Sequence, residues 1–272
     1  MAPTPTELQR LATVISRRTG MAFPSTRLPF LTARARAVMA WAGADNWDSW
    51  LSELEASAGN DDRVGEALDE ALQVHETCFF RYPGHHALLS DVVLPDSLAA
   101  GATRLRILSV GCSTGQEAYS LAMTARENLG GDAHRQVEIL GVDVGRAALA
   151  AARRGIYGPL SVATVPPLYL ERYFEPDGAA FTARPELRAM VRFLRHDIRR
   201  ELYLGKFDAI FCCNVCLYFM RPTKDQILAR LTAALRRGGY LFLGHAEGVT
   251  PPVDNFRTIH RPSGVVFQRI PA

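Results

Sequence analysis

In the first third of the chain, apolar residues recur at intervals of three and four. Leu8, Leu11, Val14 and Ile15 share one helical face, as do Trp47, Trp50, Leu51 and Leu54. Val64, Ala67, Leu68, Ala71 and Leu72 form a third stripe, and Pro24, Pro29, Gly43 and Gly59 fall between or near the ends of these segments, where helix breakers belong. This pattern predicts a small all-α domain over residues 1–74. After Leu105 the period changes. Short apolar runs at Leu105–Val110, 137–142, 207–213 and 240–244 read as buried strands, with helical stretches at 117–128, Arg146–Arg154 and 224–236 between them. Such alternation predicts an α/β domain with a parallel sheet covered by helices on both faces. Gly238-Gly239 reads as a helix stop before the fourth of these strands.

Composition adds mainly exclusions. With 272 residues and 48% hydrophobic content, the chain can bury a core in more than one domain. A formal net charge of +3 makes no case for nucleic acid or for a membrane surface. No apolar run approaches the roughly 20 residues that span a bilayer, so direct membrane insertion is not expected. The opening Met-Ala-Pro-Thr-Pro-Thr-Glu lacks the basic and apolar regions of a signal peptide, and a cytoplasmic location is expected. The five cysteines form no framework. Cys213 and Cys216 have C-x-x-C spacing but no second ligand pair, so a buried strand end is expected and no metal site. Charge is lopsided. Glu7 faces Arg10, Arg17, Arg18, Arg27, Arg34 and Arg36, whereas Asp45, Asp48, Glu53, Glu55, Asp61 and Asp62 dominate the following stretch. Either solvated faces of opposite sign or a basic surface for an acidic partner would produce this pattern.

The most informative segment is Leu108-Ser109-Val110-Gly111-Cys112-Ser113-Thr114-Gly115-Gln116-Glu117, which follows a strand and opens a helix. Its glycines let backbone pass close to a ligand at the strand's carboxyl end. A second strand ends at Asp143, an acid able to accept hydrogen bonds from both ribose hydroxyls of an adenosine. Competing readings exist. Gly111-x-Ser113-x-Gly115 is formally a nucleophile elbow, with His245 or His260 available for a triad. A dinucleotide fold would require G-x-G-x-x-G, yet Ser113 and Gln116 stand at its later glycines. A ligand-free structural turn is the third alternative. A glycine loop with an acidic strand end and no pyrophosphate cradle best fits S-adenosylmethionine.

Several runs, in order, resemble the CheR family of chemotaxis receptor protein-glutamate O-methyltransferases. These are Glu76-Thr77-Cys78-Phe79-Phe80-Arg81, the loop 113–120, the run 207–215, Leu217-Tyr218-Phe219 and Gly244-His245-Ala246-Glu247. The resemblance implies a helical N-terminal, receptor-docking domain, a linker at 75–95 closing the cofactor site, and a Rossmann-like methyltransferase domain at 96–272. It also implies a small antiparallel β-subdomain inserted at about 173–193, which in some members grips a receptor's C-terminal tether. The implied cofactor is S-adenosyl-L-methionine, leaving S-adenosyl-L-homocysteine. Glu117 would hold the methionine ammonium and Asp143 the ribose, Asp197 and Ile198 would flank the adenine, Asn214 and Val215 would line the floor near the sulfonium, and Gly111 of the loop would also contact the cofactor. Thr77 and Arg81 would close the site, with Arg81 orienting the substrate carboxylate and Tyr218 donating a hydrogen bond near the methyl group. Each has a plainer reading: a first-turn acid on the helix dipole for Glu117, a strand-end cap for Asp143, a loop-satisfying amide for Asn214, a surface side chain for Arg81.

The partner implied is the cytoplasmic domain of a chemoreceptor, met by a monomer. A glutamate carboxylate, with a reference pKa of about 4.3, needs no general base. Several positions depart from the family. His75 stands for the usual Asn, which would make cofactor affinity pH-sensitive; Ala246 replaces a Ser; Cys216 occupies a normally aliphatic site, which should be tolerated; and Arg34 and Arg36 are all that remains of a denser basic stripe in the second helix. A catalytically silent sensor of S-adenosylmethionine and S-adenosylhomocysteine is the alternative.

Overall fold

A computed structural model describes residues 2–56 and 62–270. Gly59 and Asp61, singled out above, lie outside the described residues. Two compact units are formed: Met1–Val74 with Tyr218–Thr223, and His75–Leu217 with Lys224–Ala272.

The first unit contains the helices α1 (Pro5–Thr19), α2 (Leu28–Trp41), α3 (Trp47–Ala56) and α4 (Arg63–Ala71). Thr4 starts α1 with a capping box: its hydroxyl accepts from Glu7 N–H at 3.3 Å, and the Glu7 carboxylate accepts from Thr4 N–H at 2.6 Å. Gly20 ends it in a left-handed conformation with φ 67°. Leu11 and Ile15 of α1, Leu31 and Ala35 of α2, Trp50 and Leu51 of α3, and Leu68 of α4 make the core. The opposite charges pair within this unit. Arg10 reaches Glu55 at 2.8 Å and also Asp48, and Arg18 reaches Asp62 and Asp69. Part of the arginine excess therefore neutralises the neighbouring acids. Arg34 and Arg36 are exposed on α2, with Arg34 5.2 Å from the Phe30 ring centre. The segment Tyr218–Thr223 joins the unit through a bridge between Met21 and Phe219.

The second unit is built on strands β1 (Leu105–Val110), β2 (Val137–Asp143), β3 (Ile156–Tyr157), β4 (Phe174–Asp177), β5 (Ala180–Ala183), β6 (Val191–Arg195), β7 (Phe207–Cys212), β8 (Leu235–Leu243), β9 (Phe256–Arg261) and β10 (Gly264–Arg269). Seven of them form one sheet in the order β6-β2-β1-β7-β8-β10-β9. Neighbours from β6 through β8 are parallel, while β10 is antiparallel to both β8 and β9. The order reverses beside β1, which places the carboxyl ends of β1, β2 and β7 around a crevice where a doubly wound sheet binds ligands. The helix Gln116–Leu129 packs its buried face on this sheet, and Phe79, Leu89, Leu121, Ile139 and Phe242 lie in the common core.

Four segments lie differently from what the sequence pattern predicts. The small sheet has the order β3-β5-β4, so the hairpin 174–183 falls within the predicted insert, but its third strand comes from Ile156–Tyr157. The last residues of that predicted window begin β6 of the main sheet. The segment read as a linker at 75–95 is grouped with the catalytic unit and turns helical from Pro83, and Leu88, Leu89 and Val93 are fully buried there. Gly238-Gly239 does not stop the helix, which ends at Ala234. The pair lies inside β8, where the six residues Leu235 to Tyr240 span the same stretch as the three residues Phe207 to Ala209 on β7, and Gly238 takes φ 77° within this bulge. The end of the helix is instead satisfied by Arg269, whose guanidinium donates to the carbonyls of Thr232 and Leu235.

Candidate active site

The carboxyl end of β1 turns sharply. Gly111 has φ 65°, Ser113 φ 50° and Gly115 φ 96°. A Cβ on Gly111 would stand 2.5 Å from Val215 Cγ2, so glycine lets Val215, three residues past the end of β7, lie on this loop. Asp143 ties the loop to β2: one carboxylate oxygen accepts from Ser113 N–H at 2.8 Å and the other from Gly145 N–H at 2.8 Å. His75 reaches the same loop, its Nδ1 3.5 Å from Ser113 Oγ.

Glu117 stands in the first turn of the helix Gln116–Leu129, and Ser109, fully buried on β1, donates its hydroxyl to it at 2.6 Å. Among the described residues Glu117 forms no ion pair. The residue keeps some accessible surface, but its carboxylate lies deep among protein atoms, and that deep position governs its titration. Burial pushes the carboxyl up to about 7, against the stabilising hydrogen bonds from Ser109 and Cys213.

At the end of β7, Asn214 takes φ 62° and its side-chain oxygen accepts from the Tyr82 hydroxyl at 2.8 Å. The Glu247 carboxylate, 1% exposed, accepts from the backbone N–H groups of Asn214, Val215 (3.2 Å) and Leu217 (3.1 Å). Burial raises its pKa while those N–H groups oppose the rise. Tyr82 stacks on His85 with ring centres 4.9 Å apart, and Cys213 Sγ is 3.6 Å from His85 Nδ1. Burial lowers His85 to about 4, so its ring is neutral at physiological pH.

His75, Gly111, Glu117, Asp143, Asn214 and Val215 thus come together at the carboxyl ends of three adjacent strands. Asp197 follows β6 and is engaged by Arg199, whose guanidinium donates to it at 2.7 Å, with Ile198 buried beside it. Arg81 is exposed and donates to the Glu76 carbonyl at 2.7 Å; Thr77 is half-buried on the same segment. The segment 78–81 also borders a cavity of about 630 Å³, lined by Phe80, His86, Thr124, Asn128 and Tyr169. Tyr218 is grouped with the helical unit, its ring 5.0 Å from the Arg27 guanidinium carbon and its carbonyl accepting from Ala22 N–H. The hydrolase alternative finds no triad: His245 packs on the Tyr82 and His85 rings, and His260 lies on β9.

The sequence reading assigned no role to Ser109, Tyr82 or Glu247. The signal for Glu247 was an acid three residues past the end of an apolar strand, a position that many surface acids share.

A family model described as "CheR methyltransferase, SAM binding domain" matches residues 75–265. This chain belongs to the CheR methyltransferase family. "Chemotaxis protein methyltransferase 1" of Pseudomonas aeruginosa is 32% identical over 257 residues, covering 92% of each chain. "Chemotaxis protein methyltransferase Cher2" of Pseudomonas putida is 28% identical, covering 96% of this chain and 97% of its own. The "Chemotaxis protein methyltransferase" of Salmonella typhimurium is 31% identical, covering 91% of this chain and 85% of its own. The chain is an S-adenosylmethionine-dependent methyltransferase, and the residues present suit that cofactor: an acid without a cation for the ammonium, an acid at a strand end for the ribose, and a glycine loop between them.

Proposed function

We propose that this CheR-family protein esterifies glutamate side chains on the cytoplasmic domain of a chemoreceptor. The observation that carries the reading is the buried Glu117 carboxylate, joined by Asp143 and Asn214 at the carboxyl ends of β1, β2 and β7. Relatives named chemotaxis protein methyltransferase, among them those of Pseudomonas aeruginosa and Salmonella typhimurium, support a chemotaxis receptor as the acceptor.

S-adenosylmethionine supplies an electrophilic methyl group on a sulfonium. Glu117 receives the cationic end of its methionine, and Asp143 keeps lone pairs for the ribose beyond those used by Ser113 and Gly145. Asn214 and Val215 form the floor, and Thr77 and Arg81 close the site. A glutamate acceptor is already ionised at neutral pH, so the protein's task is to orient it and exclude water rather than to remove a proton. Arg81 is the orienting group, because a guanidinium fork fits a carboxylate. The exposed face of α2 is the receptor-docking candidate, and the three-stranded sheet is the candidate for a receptor tether.

Calorimetric titration with S-adenosylmethionine and S-adenosylhomocysteine, followed by methyl-label transfer to receptor cytoplasmic fragments, tests this reading. Base-labile label on glutamate is the expected result. Binding without transfer to any receptor fragment would favour a silent sensor, and failure to bind either nucleotide would remove both readings. Arg81→Ala should retain cofactor binding and lose transfer; full transfer by that variant would take Arg81 out of the mechanism.

A further inference from the structure

The run Cys213-Asn214-Val215-Cys216-Leu217 has to leave the sheet abruptly, yet it contains neither glycine nor proline to enforce the turn. Asn214 sits at φ 62°, a left-handed conformation that costs a non-glycine residue about 1 kcal/mol. Something outside the run must hold it. The Glu247 side chain is buried and carries its carboxylate into the turn, where one oxygen accepts from the N–H groups of Asn214 and Val215 and the other from Leu217. Among the described residues no cation pairs with this carboxylate. Its negative charge is therefore balanced by converging backbone N–H dipoles, an arrangement that fixes those N–H groups in direction as well as in position.

The backbone of Glu247 is itself anchored. Lys224 Nζ donates to its carbonyl at 2.9 Å. Gly244 makes room for the side chain, since a Cβ there would stand 2.9 Å from Glu247 Oε1, 3.1 Å from Asn214 N and 3.2 Å from the Tyr82 hydroxyl. On the other side of the turn, Val215 lies over Gly111, and the Asn214 side chain meets Tyr82. A chain of direct contacts thus runs from Glu247 through the turn to the glycine loop that opens the helix of Glu117.

We propose that Glu247 is the positioning residue of the methyl-transfer site, holding the turn 214–217 so that Asn214 and Val215 form the floor against Gly111. The inference rests on the reading of this crevice as the S-adenosylmethionine site. Glu247 acts through the turn and touches neither cofactor nor acceptor.

The test compares three full-length variants. In Glu247→Gln the carboxamide nitrogen presents hydrogens where an acceptor is required, so at least one of the three N–H groups loses its partner. Asp208→Asn is the control. Asp208 lies near the opposite end of β7 and accepts from Arg106 N–H at 2.7 Å and from Arg236 at 2.6 Å. Gly244→Ala displaces the Glu247 carboxylate without altering it, and serves as the second probe if Glu247→Gln fails to fold.

Three quantities are read: amide exchange at Asn214, Val215 and Leu217 without cofactor, the Kd for S-adenosylhomocysteine, and the thermal midpoint. Glu247→Gln and Gly244→Ala should each accelerate those amides and weaken Kd about tenfold or more, the scale of one lost hydrogen bond to a charged group. Asp208→Asn should lower the midpoint with Kd unchanged. Wild-type Kd and exchange in folded Glu247→Gln, or equal weakening in the control, would overturn the proposal. A wild-type protein that binds neither nucleotide brings down the cofactor reading itself; binding that is indifferent to both probes brings down only the role of Glu247.

Discussion

The carboxyl of Glu117 titrates at about 7, and only its ionised form can pair with a ligand ammonium. Cofactor affinity should therefore weaken as pH falls through neutrality. With one titrating acid, the apparent Kd scales as one plus the ratio of protonated to ionised Glu117. That factor is about 2 at pH 7 and about 11 at pH 6, a loss of roughly fivefold, or about 1 kcal/mol. The window stays below the α-amino reference value of about 7.7–8.0, so the ligand's ammonium holds its charge throughout.

Glu117→Gln keeps the shape and removes the charge. It should bind S-adenosylhomocysteine weakly at both pH values and show no slope attributable to this position. The same shift has a stability consequence of opposite sense. A carboxyl whose folded pKa is raised is more protonated in the folded state, so between about 4.5 and about 7 stability falls as pH rises, and the full penalty stands above 7. From the shift, that penalty reaches on the order of 3 kcal/mol, so cofactor-free Glu117→Gln should melt higher than wild type at pH 8 while binding worse. Isothermal titration at pH 7 and pH 6, with calorimetric melting of the cofactor-free proteins, decides the matter. A flat wild-type affinity, or an equal slope in Glu117→Gln, would refute the reasoning.

Other consequences follow from single contacts. Gly111→Ala must place a methyl 2.5 Å from Val215 Cγ2 at φ 65°; it should lose measurable cofactor binding and about 1–3 kcal/mol of stability, read by titration and denaturant unfolding. Phe79→Ala empties a fully buried site packed edge-on against Tyr157 and Phe174 and should cost about 3–5 kcal/mol in the catalytic unit; a loss below about 1 kcal/mol would contradict its place in the core. Arg18→Met removes the partner of Asp62, whose side chain is only 8% exposed, and should destabilise the helical unit by about 3 kcal/mol while leaving S-adenosylhomocysteine affinity unchanged.

The alternation of strand and helix after Leu105, the helical stripes before it and the glycine loop were all legible in the sequence, because each depends on residues close together in the chain. Glu117 and Asp143 were legible as an acid after a glycine loop and an acid at a strand end. Long-range geometry was not. That Gly238-Gly239 serves a bulge depends on the register with β7, and that Arg269 takes over the helix end depends on a side chain more than thirty residues away. The limits of the small sheet depend on Ile156–Tyr157 pairing with β5. Charge told the same story: Arg10 and Arg18 resembled a basic surface until folding placed Asp48, Glu55 and Asp62 beside them. The role of Glu247 is the clearest case. The sequence shows only an acid after an apolar strand, and three converging backbone N–H groups from another strand's end make it a clamp. Local pattern determined the elements and the identity of the chemical groups; the tertiary structure alone decided which buried donors meet which acceptors, because that choice is made by pairing across the sheet.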